Sequence, residues 1–138
     1  MKVLIDTNIV LDVFLSREPN IKSAEKIFEM IYNEEIEGFT TASSITDIYY
    51  ITAKRLGDRP TREALRNLFN LLGIITVDGG DCVDALNLPI PDFEDALVIV
   101  CADKIDIDYI ITNDQGFLSV DSKLASVITA DNFLALEI

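Results

Sequence analysis

The chain has 138 residues, enough for one domain with a sizeable core, and its 49% hydrophobic content argues against intrinsic disorder. With no histidine and two cysteines, it excludes Ser-His-Asp triads and the His- or Cys-based zinc sites. The 24 acidic and 11 basic residues give a net charge of −13, which repels nucleic acid unless it is offset locally. Oxygen-rich side chains of this kind suit hard cations such as Mg²⁺ and Mn²⁺.

Two features of the sequence bear on where the protein works. The longest unbroken apolar run, Ala96–Ala102, is far too short for a membrane helix, and the apolar start of the chain lacks a small-residue cleavage site. Cys82 and Cys101 lack Cys-x-x-Cys spacing and indicate buried thiols in a reducing compartment, although a single bridge is compatible with the sequence. We therefore expect a cytoplasmic protein that does not contact a membrane.

Strands and helices alternate along the chain, which predicts a single α/β domain over residues 1–138 with a mostly parallel sheet of four or five strands. A run of residues from Gln115 to Ser126 has neither period and is expected to be a loop. In chain order, the predicted elements are a strand Lys2–Ile5, a helix that includes Ile9–Phe14, a helix Ile21–Glu34, a strand Phe39–Ala42, a helix Ile45–Leu56 capped by Ser43 or Ser44, a helix Thr61–Leu72, a strand Ile74–Val77, a short helix Asp81–Leu86, a helix beginning at Asp92, a strand Tyr109–Ile111, an edge strand Val127–Ile128 and a helix capped by Asp131 that ends near Leu136.

Five aspartates stand at the ends of these elements. Asp6 follows the first strand, Asp47 lies in the first turn of the third helix, Asp92 and Asp95 open the sixth, and Asp114 follows the strand at 109–111. The carboxyl ends of parallel strands border one crevice, so these side chains are expected to converge there. Each also has a simpler explanation, because an acid at a helix start accepts backbone N–H bonds and complements the helix dipole without any further role.

The order and spacing of these acids resemble the PIN-domain nucleases. Those proteins have a strand-ending Asp in an Asp-Thr-Asn motif, an acid at the start of a later helix, an Asp-Ala acid and a Thr-x-Asp acid. The similarity extends from Val3 to about Leu134. It departs from the family at the second acid, which is usually Glu; Asp47 is one methylene shorter, a change of about 1.5 Å that puts activity rather than fold in question. The matching residues are Asp6-Thr7-Asn8, Asp47, Asp95-Ala96 and Thr112-Asn113-Asp114.

The resemblance implies a PIN-like three-layer α/β/α sandwich and a metal-dependent endoribonuclease that hydrolyses single-stranded RNA by in-line attack of water. Many small members of the family are toxins of the VapC kind, so an antitoxin partner and a homodimer are further expectations. Asn8 and Thr112 would orient the phosphate or the acids that hold the metal. The implied ligands of Mg²⁺ or Mn²⁺ are Asp6, Asp92, Asp95 and Asp114. The implied catalytic residues are Asp6, Asp47, Asp95 and Asp114.

One 13-residue window offsets the acidity locally. Lys54, Arg55, Arg59, Arg62 and Arg66 face only two acids there, so the window carries +3 and the rest of the chain −16. Such a ridge could contact RNA phosphates, with Arg59 and Arg62 as substrate-binding residues. The same spacing is equally typical of a solvated helix face with i,i+4 ion pairs.

Two other functions fit part of the sequence. A phosphatase of the haloacid-dehalogenase class also begins with a strand-end aspartate, but resembles an Asp-x-Asp pattern whose second position is Asn8 here. A degenerate PIN fold that only binds a partner is compatible with Asp47 and with the acidity. Activity on a small phosphate ester would favour the phosphatase, and a calorimetric titration that detects no binding of Mn²⁺ would favour the binding module.

Overall fold

The computed structural model describes residues 1–136, and these form a five-stranded, all-parallel sheet in the order β3-β2-β1-β4-β5. None of the helices within this range is both long and apolar enough to cross a membrane. The strands are β1 (Lys2–Ile5), β2 (Glu37–Thr41), β3 (Gly73–Ile75), β4 (Tyr109–Ile111) and β5 (Val127–Ile128). The helices are α1 (Thr7–Phe14), α2 (Ile21–Tyr32), α3 (Ala42–Leu56), α4 (Asp58–Leu71), α5 (Gly79–Leu86), α6 (Phe93–Lys104), α7 (Gln115–Leu118) and α8 (Ala130–Leu134).

The order of the strands fixes where a ligand can bind. From β1 the chain adds β2 and β3 on one side, and it then crosses over to add β4 and β5 on the other. The direction of winding therefore reverses between β1 and β4, where Leu4 pairs with Ile110 and Ile5 with Ile111. In open parallel sheets the crevice for ligands lies outside the carboxyl ends of the strands at such a reversal.

Helices cover both faces of the sheet, as expected for three layers. Val3, Leu4 and Ile5 are completely buried, and alternate residues of a strand point to opposite faces. Val3 and Ile5 belong to a buried cluster with side chains of α1, α2, α3, α4 and α8, whereas Leu4 belongs to a second cluster with side chains of α6 and α7. The expectation of an α/β/α sandwich with a parallel sheet is confirmed.

The carboxyl-terminal third differs from the predicted elements in two places. The segment after Asp114 begins with the short helix α7 rather than a loop, since the Asp114 carboxylate accepts a hydrogen bond from the Gly116 N–H at 3.3 Å. Thr129, not Asp131, caps α8: its backbone is extended and its hydroxyl accepts from the Asn132 N–H at 3.1 Å. Asp131 lies inside the first turn, where its carboxylate accepts a hydrogen bond from Ser23.

Helix α3 begins three residues earlier than predicted. Thr41 ends β2 with extended backbone angles, and Ala42, a strong helix former, starts the helix immediately after it. Ser43 and Ser44 therefore do not cap the helix; their hydroxyls each lie 2.9 Å from the Thr41 hydroxyl. The prediction that Asp47 occupies the first turn is wrong, because the earlier start moves it into the second.

Candidate active site

A cleft of about 430 Å³ opens at the carboxyl ends of β1 and β4. Its walls come from the segment after β1, the loop between α1 and α2, the amino-terminal half of α3, the start of α6 and the segment after β4. All five aspartates singled out from the sequence line it, together with one glutamate that was not. The six carboxylates are those of Asp6, Asp47, Asp92, Glu94, Asp95 and Asp114.

Asp6 is held in place by the strand next to it. Its N–H donates to the Ile111 carbonyl at 3.0 Å, which continues the pairing of β1 with β4 by one residue. Its Oδ2 accepts hydrogen bonds from the Thr112 hydroxyl at 2.8 Å and from the Asn8 side-chain amide at 3.0 Å. Its Oδ1 accepts from the Thr7 N–H at 2.9 Å. The orientation of this carboxylate therefore follows from the register of the two central strands.

Asn8 and Thr112 tie the two strand ends to each other. The Asn8 amide donates to the Thr112 hydroxyl at 2.8 Å, and its Oδ1 accepts from the Asn113 N–H at 2.9 Å. The Thr112 hydroxyl also accepts from the Asp114 N–H at 3.1 Å. These contacts place both side chains behind Asp6 and Asp114, where they position acids of the cleft. Thr112 is completely buried, whereas Asn8 also lines the cleft.

Burial and crowding of the carboxylates change how three of them titrate: Asp6, Glu94 and Asp95. Burial raises the pKa of Asp95 to about 7, and the charges of Asp92, Asp6, Asp114 and Glu94 add to the effect. Burial also raises the pKa of Asp6, although its hydrogen bonds oppose the shift. Unlike Asp6, Asp95 receives no hydrogen bond on its carboxylate from any residue in the range 1–136. The charged form of Asp95 is therefore poorly stabilised by the protein itself.

Three of the six acids cap helices as well as lining the cleft. Asp6 is the cap of α1, Asp92 accepts from the Asp95 N–H at 3.0 Å at the start of α6, and Asp114 caps α7. The capping explanation is thus correct for these three residues, yet it does not account for their shared location. Asp47 and Asp95 lie within α3 and α6 and cap neither helix.

Glu94 is the acid that the sequence analysis missed. Partial burial raises its pKa, and the next largest contribution is the charge of Asp47, ahead of Asp92 and Asp6. Glu94 on α6 lines the same cleft as Asp47 on α3 and carries the longer side chain. The available signal was its position between Asp92 and Asp95, two acids already assigned to the cleft.

Three further polar side chains line the cleft without having been assigned to it. Ser43 and Ser44 contribute hydroxyls at the amino end of α3. Arg17, from the loop between α1 and α2, is the one basic side chain among the cleft residues within the described range 1–136. A signal for it was Asp12, an acid on the apolar side of α1 that needs a counter-charge.

Arg59 and Arg62 do not lie among the residues that line the cleft. Arg62 donates to Asp58 at 2.8 Å in an i,i+4 pair, and its guanidinium carbon lies 5.7 Å from the centre of the Tyr49 ring. Tyr49 also hydrogen-bonds to Asp58. Arg62 therefore belongs to a solvated helix face with an i,i+4 ion pair, which was the alternative to a surface that binds RNA. Arg59 is exposed on α4.

The donor set of the cleft fits a hard divalent cation. Among residues 1–136, no group of three or more His, Cys, Asp or Glu side chains is arranged as a finished metal site. The chemistry nevertheless matches: the charged ligands on offer are all carboxylates, which Mg²⁺ and Mn²⁺ prefer. Burial raises the pKa of Asp95 most and repulsion by the neighbouring acids adds to it; a bound cation would relieve that repulsion.

Comparison with known proteins agrees with this geometry. A family model described as PIN domain matches residues 2–116. Ribonuclease VapC1 of Aquifex aeolicus (strain VF5) is 27% identical over 137 residues, which cover 96% of this chain and 92% of the relative. The structure of Mycobacterium tuberculosis VapC20, a sarcin-ricin loop cleaving toxin, has a TM-score of 0.69 at 14% identity and covers 85% of this chain and 93% of its own. The structure of a toxin-antitoxin complex from Klebsiella pneumoniae has a TM-score of 0.68 at 19% identity, and the match covers 93% of this chain and 97% of the chain in that structure. At these identities the two solved structures establish the fold alone.

Proposed function

We propose, from the premise that the chain belongs to the PIN-domain family, that it is a metal-dependent endoribonuclease acting on phosphodiester bonds of single-stranded RNA. The observation that carries the proposal is the convergence of six carboxylates from four separate segments on one cleft. Helix capping requires each acid only at its own helix, whereas phosphodiester hydrolysis with a divalent ion requires them together.

The proposed cofactor is Mg²⁺ or Mn²⁺, bound by Asp6, Asp92, Asp95 and Asp114. PIN ribonucleases generally need a divalent metal; when bound, such an ion lowers the pKa of a water molecule and offsets charge on the phosphate. The residues of the chain prepare the site. Thr112 and Asn8 orient the Asp6 carboxylate, and Asp95, with a pKa of about 7, can release its proton near neutral pH.

The short Asp47 does not argue against catalysis in this arrangement. The family usually has Glu at this position, but Glu94 lies close enough for the charge of Asp47 to raise its pKa. We propose that Glu94 supplies the reach that Asp47 lacks, so that the pair serves together with Asp6, Asp95 and Asp114 in the catalytic set. This compensation favours an enzyme over a module that only binds, and the family match gives the phosphatase alternative no support.

The proposed biological role is that of a toxin kept inactive by an antitoxin protein. It rests on the likeness to Ribonuclease VapC1 and on structural neighbours that come from toxin-antitoxin complexes. A cytoplasmic location follows from an RNA substrate of this kind. Contact of Arg59 and Arg62 with RNA outside the cleft, and assembly into a homodimer, stay predictions.

The test is cleavage of defined single-stranded RNAs by the purified chain in Mg²⁺, in Mn²⁺ and in EDTA. We expect cleavage only with a divalent ion, and Asp6→Asn, Asp95→Asn and Asp114→Asn should each reduce the rate by about 100-fold or more, since outer-shell changes alone cost roughly 10- to 100-fold. Asp103→Asn is the control, because it removes an exposed carboxylate from the far end of α6. Undiminished cleavage in EDTA would contradict the proposal, and Mn²⁺ binding without cleavage of any RNA would favour a binding module.

A further inference from the structure

The end of α1 places Arg17 beside the helix from which the chain has just emerged. Ser16 has a φ of 50°, in the left-handed region, and its N–H donates to the Val13 carbonyl at 3.3 Å. The Arg17 N–H donates to the Asp12 carbonyl at 2.9 Å. These two bonds form a Schellman motif, in which the residue after the left-handed one meets the last turn of the helix, usually through an apolar contact. Here the contact is ionic and joins Arg17 to Asp12.

Two side-chain hydrogen bonds then fix the guanidinium. Its Nε donates to the Asp12 carboxylate at 2.9 Å, and its Nη2 donates to the Asn8 carbonyl at 3.1 Å. The Asp12 side chain is 5% exposed and that of Arg17 is 42% exposed, so the carboxylate that holds the guanidinium is buried and the guanidinium is accessible. A guanidinium has five N–H donors, and these contacts use two of them. The remaining donors are held in a rigid plane that suits bidentate binding of a phosphate.

The location of the Arg17 guanidinium suggests what it binds. Arg17 lines the cleft that contains the six carboxylates, and the carbonyl that holds it belongs to Asn8, whose side chain contacts Asp6. Of the charged side chains in the described lining of the cleft, all except Arg17 are acidic, so Arg17 is where an RNA strand entering the cleft meets a positive charge. We propose that the Arg17 guanidinium binds a backbone phosphate of the RNA strand in the cleft and that Asp12 positions it. This inference rests on the proposed ribonuclease function.

A purely structural role is the competing explanation, in which Arg17 only neutralises a buried acid. The contacts of Asp12 argue against it, because its Oδ2 is buried without a hydrogen-bond partner in the described range of the chain. The flanking helix positions, Val10 and Leu11, are apolar and buried, and replacing an ion pair in such surroundings by apolar side chains is often stabilising. The pair is therefore poorly suited to stability alone.

The experiment measures RNA binding rather than cleavage. A labelled single-stranded RNA is titrated by fluorescence anisotropy in EDTA with Asp95→Asn as the parent protein, so that the strand stays intact, over a range of salt concentrations. We expect Arg17→Gln to weaken binding about tenfold, as loss of a charge-assisted hydrogen bond does. The slope of log K against log[salt] should fall by about 0.7, the value for one phosphate contact on a single strand. Lys26→Gln, which removes an exposed cation on α2, should change neither quantity.

A second set of oligonucleotides locates the contact, each with one uncharged methylphosphonate linkage. In the parent one linkage should cost about tenfold when neutralised, and in Arg17→Gln that same linkage should cost nothing. If Arg17→Gln does not fold, Arg17→Lys takes its place, because lysine keeps the charge but lacks the planar guanidinium. The loss of affinity caused by neutralising that linkage should then be smaller than in the parent. An unchanged affinity, slope and linkage profile would overturn the inference while leaving the ribonuclease proposal intact. A parent that binds no RNA at any salt concentration in EDTA would also overturn the inference, whereas the ribonuclease proposal is decided separately by cleavage with Mg²⁺ or Mn²⁺.

Discussion

Replacing Asp95 by Asn should stabilise the metal-free protein at pH 8 and should not stabilise it at acid pH. Burial and four neighbouring acids raise the pKa of this carboxyl from 3.8 to about 7 in the folded state. A pKa raised by folding means that the folded state prefers the protonated form. The penalty for ionisation is absent below pH 3.8, grows as the pH climbs and is complete above about pH 7.

The size of the effect follows from the shift and from the partial exposure of the side chain. Each pKa unit corresponds to about 1.4 kcal/mol, so the full shift would be worth about 4 kcal/mol. Solvent screening of a partly exposed group reduces this to about 1.5 kcal/mol. Loss of an acid near the amino end of α6 opposes it by about 0.5 kcal/mol. The net gain of about 1 kcal/mol should raise the melting temperature of a domain this size by about 3 to 4 °C.

The assay is a set of thermal melts at matched ionic strength between pH 4 and pH 8, in EDTA and with Mn²⁺. Wild type should gain about 2.7 kcal/mol when Mn²⁺ is present at a hundred times its Kd, and Asp95→Asn should gain less. Asp103→Asn, on the same helix but away from the cleft, should gain as much as wild type. The reasoning is refuted if Asp95→Asn melts lower than wild type at pH 8 in EDTA and still gains the full Mn²⁺ increment.

Three further predictions follow from neighbouring contacts. Glu94→Gln should lower the metal-dependent cleavage rate about 10- to 100-fold, measured under single-turnover conditions; an unchanged rate would leave Glu94 outside the site. Asp47→Glu should restore most of that loss in the Glu94→Gln background and change the rate of wild type little, whereas equal effects in both backgrounds would mean that the two acids act independently. Lys104→Met should lower the melting temperature because Lys104 lies 2.6 Å from buried Asp81 and holds the pKa of that carboxyl below its ordinary value. This stability is complete above pH 3.8 and is lost as the pH falls from 3.8 toward the lowered pKa of the folded state, so the difference from wild type should narrow below pH 3.8; a difference independent of pH would refute the ion pair as its cause.

The fold could be predicted because its main signals are local and strong. The apolar run Val3 to Ile5 and its counterpart Tyr109 to Ile111 read as buried strands, and the structure pairs them at the centre of the sheet. Element boundaries were harder to predict, as at α3, where the first residue depends on where β2 stops pairing with β3. That point is Thr41, which pairs with Ile75. This contact joins distant parts of the chain, so the hydrophobic periodicity of the sequence does not reveal it.

The residues of the candidate site were easiest to predict where an acid also marks the end of an element. Asp6 and Asp114 follow strands, so parallel topology alone brings them together. Glu94 and Arg17 carry no such mark. Glu94 is defined by its proximity to Asp47, and Arg17 by a turn whose left-handed residue is Ser16 rather than the glycine that usually signals it. Both depend on tertiary contacts and turn geometry that the sequence pattern does not show.

The ambiguity between cap and ligand lies in the chemistry of the carboxylate itself. A cap needs one oxygen: Asp92 accepts from the Asp95 N–H through Oδ1, and Asp114 accepts from the Gly116 N–H through Oδ1. Each carboxylate has a second oxygen that can face the cleft, so one residue can start a helix and bind a cation at the same time. The cap then fixes the orientation of the ligand, which a metal site requires. An aspartate at a helix start in this fold is therefore poor evidence against function, and its neighbours across the sheet decide the question.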